Sequence, residues 1–273
     1  MILPPGAGIP GVTPQMAQVI RLLASGGDPY EVGLAADWGA GPVRVQLSYN
    51  PRRHLPGTRP ALVAALSASG FDVRTVHVLM QLLPHASVVV GLEDEGRAAT
   101  LYLEELERRE PAWRRAVDAC TQLLGGALPE LPGNPYILAV DLQRGKARPV
   151  AWKFYWHFLP EEEGVLFEAA TRWWGAPLPA KMEGLRRGCA PEAWMLQLRF
   201  GSSIPSLKIY KTWAYHPHAT PGAAEELEAL GAPQELAIGK APTSVGVRAQ
   251  TDGSLNYTAY WCLARREDAG HRL

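Results

Sequence analysis

The stretch "VAWKFYWHF", Val150 to Phe158, decides how the rest of the chain is read. Its aromatic content is that of a strand, with Trp152, Phe154, Tyr155 and Trp156 close together, yet Lys153 sits in their midst. Side chains alternate along a strand, so Val150, Trp152, Phe154 and Trp156 share one face while Ala151, Lys153, Tyr155 and His157 share the other. The first face is a packing surface. On the second, an ammonium taken out of water costs several kcal/mol unless something pairs with it, so Lys153 faces either bulk solvent or a wet cavity.

The same period-2 pattern recurs along the chain. Hairpins are expected at "YEVGLAADW" with "PVRVQLSYN", "ASVVVGL" with "AATLYLEE", "YILAVDL" with "PVAWKFYWHF", "AWMLQLRF" with "SLKIYKTWAY", and "TSVGVRAQ" with "LNYTAYWCLA". Helical segments lie between them: "TRPALVAALSASG", "AWRRAVDACTQLLGG", "EEEGVLFEAATRWWG" and "TPGAAEELEALG", the last with Thr220 as N-cap and Pro221 in the first turn. Recurrence at a spacing of roughly 50 residues marks a repeat architecture. Five ββ units followed by helices predict an α+β fold, a ten-stranded antiparallel barrel surrounded by α-helices, wide enough for a solvent-filled tunnel. Residues 1–14 are expected as a flexible tail and residues 15–273 as one domain.

Composition bounds the partners. With 27 acidic and 27 basic residues there is no net field to attract nucleic acid or an anionic membrane, so anion recognition has to be local. The 47% hydrophobic content supports a real core, and no continuous apolar run reaches the ~18 residues of a membrane span. Cys120, Cys189 and Cys262 are odd in number and widely spaced, which argues against a disulfide framework or a zinc knuckle and for a cytoplasmic location. His157, His216 and His218 give no metal-ligand spacing.

Alternation sorts the strands into two faces. Val45, Leu47, Val88, Val90, Leu138, Val140, Leu196, Leu198, Leu207, Ile209, Val245 and Val247 point outward to the helices. Inward fall Glu31, Arg44, Tyr102, Asp141, Lys153, Tyr155, Gln197, Arg199, Lys208, Tyr210, Arg248, Asn256 and Tyr260. Such a polar interior is not a packed barrel core. Taken singly, Lys153 and Lys208 read as solvated strand positions; as two in-register Lys-x-Tyr repeats they read as a lumen wall. Arg44, Lys153, Arg199, Lys208 and Arg248 converging on one lumen make a cradle for a diphosphate. Tyr102, Tyr155, Tyr210 and Tyr260 present electron-rich faces that shield a carbocation. Together they point to ionisation of an allylic diphosphate. Asp141 is expected to hold Lys153 from the adjacent strand. No DDxxD-like cluster occurs, so the cations take the place of magnesium.

The repeated hairpins, "WKFY" and "LKIY" at equivalent strand positions, and "PYEVGLAADWGAGPVRVQLSYNP" resemble the aromatic prenyltransferases of the ABBA, or prenyltransferase-barrel, fold, in particular the indole branch similar to dimethylallyltryptophan synthase. The resemblance implies that Glu31 accepts the indole N–H and takes the proton, that Arg44 binds diphosphate, and that Lys153 with Tyr155 and Lys208 with Tyr210 are the paired Lys-x-Tyr motifs. It implies transfer of a dimethylallyl or geranyl group to an electron-rich aromatic acceptor, most of all an indole or tryptophan compound. No cofactor is required on this reading, with magnesium at most stimulatory. The family's Arg-x-Lys-x-Tyr is broken here by Ser206 at the arginine's place, with Arg199 as the expected substitute. The length is nearer that of bacterial members and of cyanobactin peptide prenyltransferases than of the fungal enzymes, so a peptide acceptor is the alternative. A non-catalytic barrel binding an apolar small molecule is the rival from another class.

Overall fold

A computed structural model describes residues 13–24, 31–37, 43–49, 57–93, 96–104, 110–124, 135–201, 206–213, 243–250 and 255–265. Ten strands fall where the alternation puts them: β1 Glu31–Asp37, β2 Val43–Tyr49, β3 Ser87–Glu93, β4 Ala98–Glu104, β5 Ile137–Gln143, β6 Ala151–Phe158, β7 Ala193–Gly201, β8 Ser206–Thr212, β9 Ser244–Gln250 and β10 Leu255–Arg265. Each pairs antiparallel with its neighbours in sequence, and β1 pairs with β10 to close the barrel. Closure satisfies both edges of every strand, which removes the unpaired backbone an open sheet would expose.

Helices cover the outside: α1 Pro14–Ala24, α2 Thr58–Ala68, α3 Arg74–Leu82, α4 Glu110–Leu124, α5 Glu163–Trp174 and the short α6 Ala180–Glu183. The main core lies between the outer barrel face and these helices, where Val45, Leu47, Val90, Leu138, Leu196, Leu207, Ile209 and Val247 are buried. Phe167 of α5 meets Trp194 of β7 edge-on at 5.7 Å. α5 stops at Gly175, whose φ of 73° is the left-handed cap that L side chains resist. Lys211, on the outer face of β8, is buried with its ammonium donating to the carbonyls of Leu185 and Arg187, which ties the 3-10 turn Gly184–Arg186 to the barrel.

α1 and α3 are additions to the expected helices. α3 offers Val76, Leu79 and Met80 to the core, but its run "RTVHV" is β-branched and reads as a strand. The expected tail lies, through residue 12, outside the described residues, and α1 begins at Pro14 with the Thr13 hydroxyl accepting from the Met16 amide at 3.2 Å. The helix expected from Thr220 and Pro221 also lies outside them. No helix among the described residues is long and apolar enough to cross a membrane.

Candidate active site in the barrel lumen

Cross-strand register places the inward residues on a continuous wall. Around the barrel, Arg44 stands beside the position of Glu93 on β3, Thr100 opposite Asp141, Lys153 opposite Arg199, Tyr155 opposite Gln197, Gln197 opposite Lys208, Lys208 opposite Arg248, and Arg248 opposite Asn256. The alternation therefore does bring Arg44, Lys153, Arg199, Lys208 and Arg248 into one lumen.

The two lysines do not face open solvent. Lys153 and Lys208 are 3% and 0% exposed, and their charges are met by protein groups. Asp141 is the hub of one half: Lys153 Nζ lies 2.5 Å from Oδ1, Arg199 Nη2 lies 3.2 Å from Oδ2, and the Thr100 hydroxyl donates to Oδ1 at 2.6 Å. Burial pushes this carboxyl up, but Lys153 and Arg199 outweigh burial and bring it down to about 2. Arg44 is held through Nε and Nη2 by one oxygen of Glu93, at 3.0 and 2.5 Å.

The other half is built differently. Lys208 Nζ donates to Thr258 Oγ1 at 2.5 Å and to the Tyr260 hydroxyl at 3.0 Å, and Thr258 in turn donates to Asp37. Burial, reinforced by the nearby Arg248 charge, holds this ammonium well below the usual lysine range. Among the described residues, neither Lys208 nor Arg248 forms an ion pair with a carboxylate.

The tyrosines are contiguous. Ring centroids are 6.0 Å apart from Tyr102 to Tyr155, 6.0 Å from Tyr155 to Tyr210 and 5.6 Å from Tyr210 to Tyr260. Lys208 Nζ lies 4.9 Å from the Tyr210 centroid and 5.2 Å from that of Tyr260, and Lys153 Nζ lies 6.0 Å from that of Tyr102. Burial pushes the Tyr155 and Tyr210 phenols well above their usual range, so they stay neutral and present π faces instead of phenolates. Ile137 and Ala139 complete this patch.

Glu31 sits in β1 with its backbone opposite Ser48 and Arg265; its side chain lies outside the described residues. Ser206 stands directly opposite Arg199 across β7 and β8, so the expected substitute does occupy the adjacent position. Sequence reasoning passed over Asp37, Glu93, Thr100 and Thr258. Counting by twos from Glu31 reaches Asp37 and could have found it, but Asp37 and Glu93 each run into turn-like sequence, "DWGAG" and "EDEGR", and read as turn residues.

No family model matches the sequence, and no curated protein does either. Solved structures do match in shape. 5-Dimethylallyl tryptophan synthase from Streptomyces coelicolor, in complex with DMASPP and Trp, superposes with a TM-score of 0.62 at 14% identity over 96% of this chain and 94% of its own. PriB with L-tryptophan and dimethylallyl thiolodiphosphate gives 0.62 at 16% over 92% and 91%. 6-Dimethylallyltryptophan synthase from Micromonospora olivasterospora gives 0.61 at 18% over 86% and 81%. A closed ten-stranded barrel, helices outside it, and this likeness over nine-tenths of the chain establish that the protein has the ABBA, or prenyltransferase-barrel, fold.

Proposed function

We propose that the protein transfers a prenyl group, dimethylallyl or geranyl, from an allylic diphosphate to an electron-rich aromatic acceptor, an indole or tryptophan compound, without a metal ion. The observation that carries the reading is the juxtaposition of lumen cations with the contiguous tyrosine rings of Tyr102, Tyr155, Tyr210 and Tyr260. A barrel for apolar ligands would have no use for buried lysines. The tryptophan bound in the similar structures supports the choice of an indole. The free thiol of Cys120 supports a reducing, cytoplasmic setting.

In this mechanism Arg44, Lys153, Arg199, Lys208 and Arg248 stabilise the negative charge that develops as the allylic C–O bond breaks and its electron pair leaves with diphosphate. The allyl cation then rests against the tyrosine faces, which stabilise it and keep water away. A ring carbon of the acceptor forms the new C–C bond, and the ring proton passes to Glu31, which also accepts the indole N–H. The acids Asp141 and Glu93 keep their cations ordered before the donor arrives.

The test is incubation of the purified protein with dimethylallyl or geranyl diphosphate and a panel of indoles, phenols and short peptides in EDTA, read by mass spectrometry. A prenyl adduct on an indole supports the whole reading. An adduct on a peptide alone moves the acceptor class, and activity that returns only with magnesium overturns metal independence. Glu31→Gln with undiminished turnover of an indole removes the base assignment.

A further inference from the structure

Among the described residues, four buried polar atoms without partners belong to lumen-facing strand positions on β7 to β10. Gln197 Nε2, Ser206 Oγ, Arg248 Nε and Asn256 Oδ1 lack a hydrogen-bond partner. Three of these residues surround Lys208: Gln197 directly opposite on β7, Arg248 directly opposite on β9, and Ser206 two residues earlier on the same face of β8. Gln197 is 1% exposed and Ser206 3%. An unsatisfied buried donor is costly, so several gathered about one lysine call for a ligand rich in acceptor oxygens.

Gln197 is the most informative of the group. The Tyr210 hydroxyl donates to Gln197 Oε1, and the Tyr210 ring packs against that of Tyr260, whose hydroxyl accepts from Lys208. A phenol has one proton to give, and Tyr210 gives it to Gln197. The amide must accept with its oxygen and is left presenting its NH2 group beside Lys208. Arg44, Lys153 and Arg199, by contrast, already have carboxylate partners.

Resting on the diphosphate reading above, we infer that Gln197 is a binding residue for the donor's diphosphate, its Nε2 donating to a phosphoryl oxygen held by Lys208, with Tyr210 as the positioning residue that fixes the amide. Ser206 Oγ and Arg248 Nε supply further donors to the same group. The anion thus docks beside Lys208 on the β7–β9 wall, bordered by Arg199 of β7, whose charge Asp141 already balances.

The experiment is calorimetric titration of the intact protein with inorganic pyrophosphate, with thermal melting of the ligand-free forms alongside. Gln197→Glu keeps the shape and the acceptor for Tyr210 but replaces the donor by a carboxylate; Gln197→Leu removes both groups. Losing a hydrogen bond to a charged ligand corresponds to a roughly 10- to 100-fold weaker affinity, expected for both variants. Tyr210→Phe frees the amide and weakens pyrophosphate and the KM for the prenyl donor together, while the KM for the acceptor holds. Unchanged pyrophosphate affinity in Gln197→Glu and Gln197→Leu overturns the inference, whatever their melting temperatures. Failure of the wild-type protein itself to bind pyrophosphate overturns the functional reading beneath it, and is thereby distinguishable.

Discussion

A Cβ added to Gly246 would collide with Cε of Lys208, and would stand 3.0 Å from the Tyr210 ring. Glycine at this lumen position of β9 is therefore what lets the lysine stem lie flat against the wall and deliver its ammonium to Thr258 and Tyr260. Gly246→Ala is expected to displace the ammonium and weaken pyrophosphate binding roughly 10-fold, since one charge-assisted contact is lost. Because the obstructing atom belongs to a flexible side chain, the melting temperature should fall only slightly. Titration and melting of the same preparation check both statements.

Asp141 bears the charge of two cations. Asp141→Asn leaves Lys153 and Arg199 without their carboxylate in a buried setting, which costs about 3–5 kcal/mol by urea denaturation. The pH dependence has a definite sign. The carboxyl is lowered from 3.8 to about 2 in the folded protein, so its contribution to stability is complete above pH 4 and is lost as the pH falls through 2. A shift of that size corresponds to about 2 kcal/mol, and Asp141→Asn should flatten the acid limb of the stability curve by that amount.

Lys208 gives a slope of the same sign for a different reason. Burial depresses the folded-state ammonium, so its charged form costs stability at low pH, a cost that disappears as the pH rises from the folded value towards the unfolded 10.5. Lys208→Met should therefore raise the melting temperature of the ligand-free protein while abolishing its response to pyrophosphate. An anion beside Lys208 favours its charged form, so pyrophosphate should pull its titration upward, with proton uptake wherever the ligand-free amine is part-deprotonated. Titrations in two buffers of different ionisation enthalpy measure that uptake, and its absence in Lys208→Met assigns it.

Cys120 lies fully buried in α4, and burial pushes its thiol far up. It should resist alkylation in the native protein at neutral pH, whereas the half-buried Cys189 reacts. Peptide mapping after iodoacetamide, with and without denaturant, reads the two sites separately.

The strands were legible because one barrel face meets helices and the other meets the lumen, so hydrophobicity alternates strictly from Val43 to Tyr49 and from Ala151 to Phe158. The five lumen cations followed from the same parity. What the alternation could not convey is how charge is balanced, because the partners are brought together only by closure: Arg44 and Glu93 are 49 residues apart, and Arg199 and Asp141 are 58 apart. A lone lysine in a strand demanded water; Lys153 beside Asp141 does not, and Lys208 donates to Thr258 and Tyr260. α3 stayed hidden for a local reason, since Thr75, Val76 and Val78 favour a strand until Leu79 and Met80 dock on the core.

Closure also has a consequence in time. β1 finds its second partner only in β10, and Thr258 reaches Asp37 across 221 residues of chain. On a ribosome, β1 through β9 emerge with an unzipped seam, and the contact that steadies Lys208 cannot form until residues 255–265 are released. Pairings so distant in sequence are slow to form. Until that seam closes the nascent chain carries two open strand edges, the surfaces most prone to pair with a neighbouring chain.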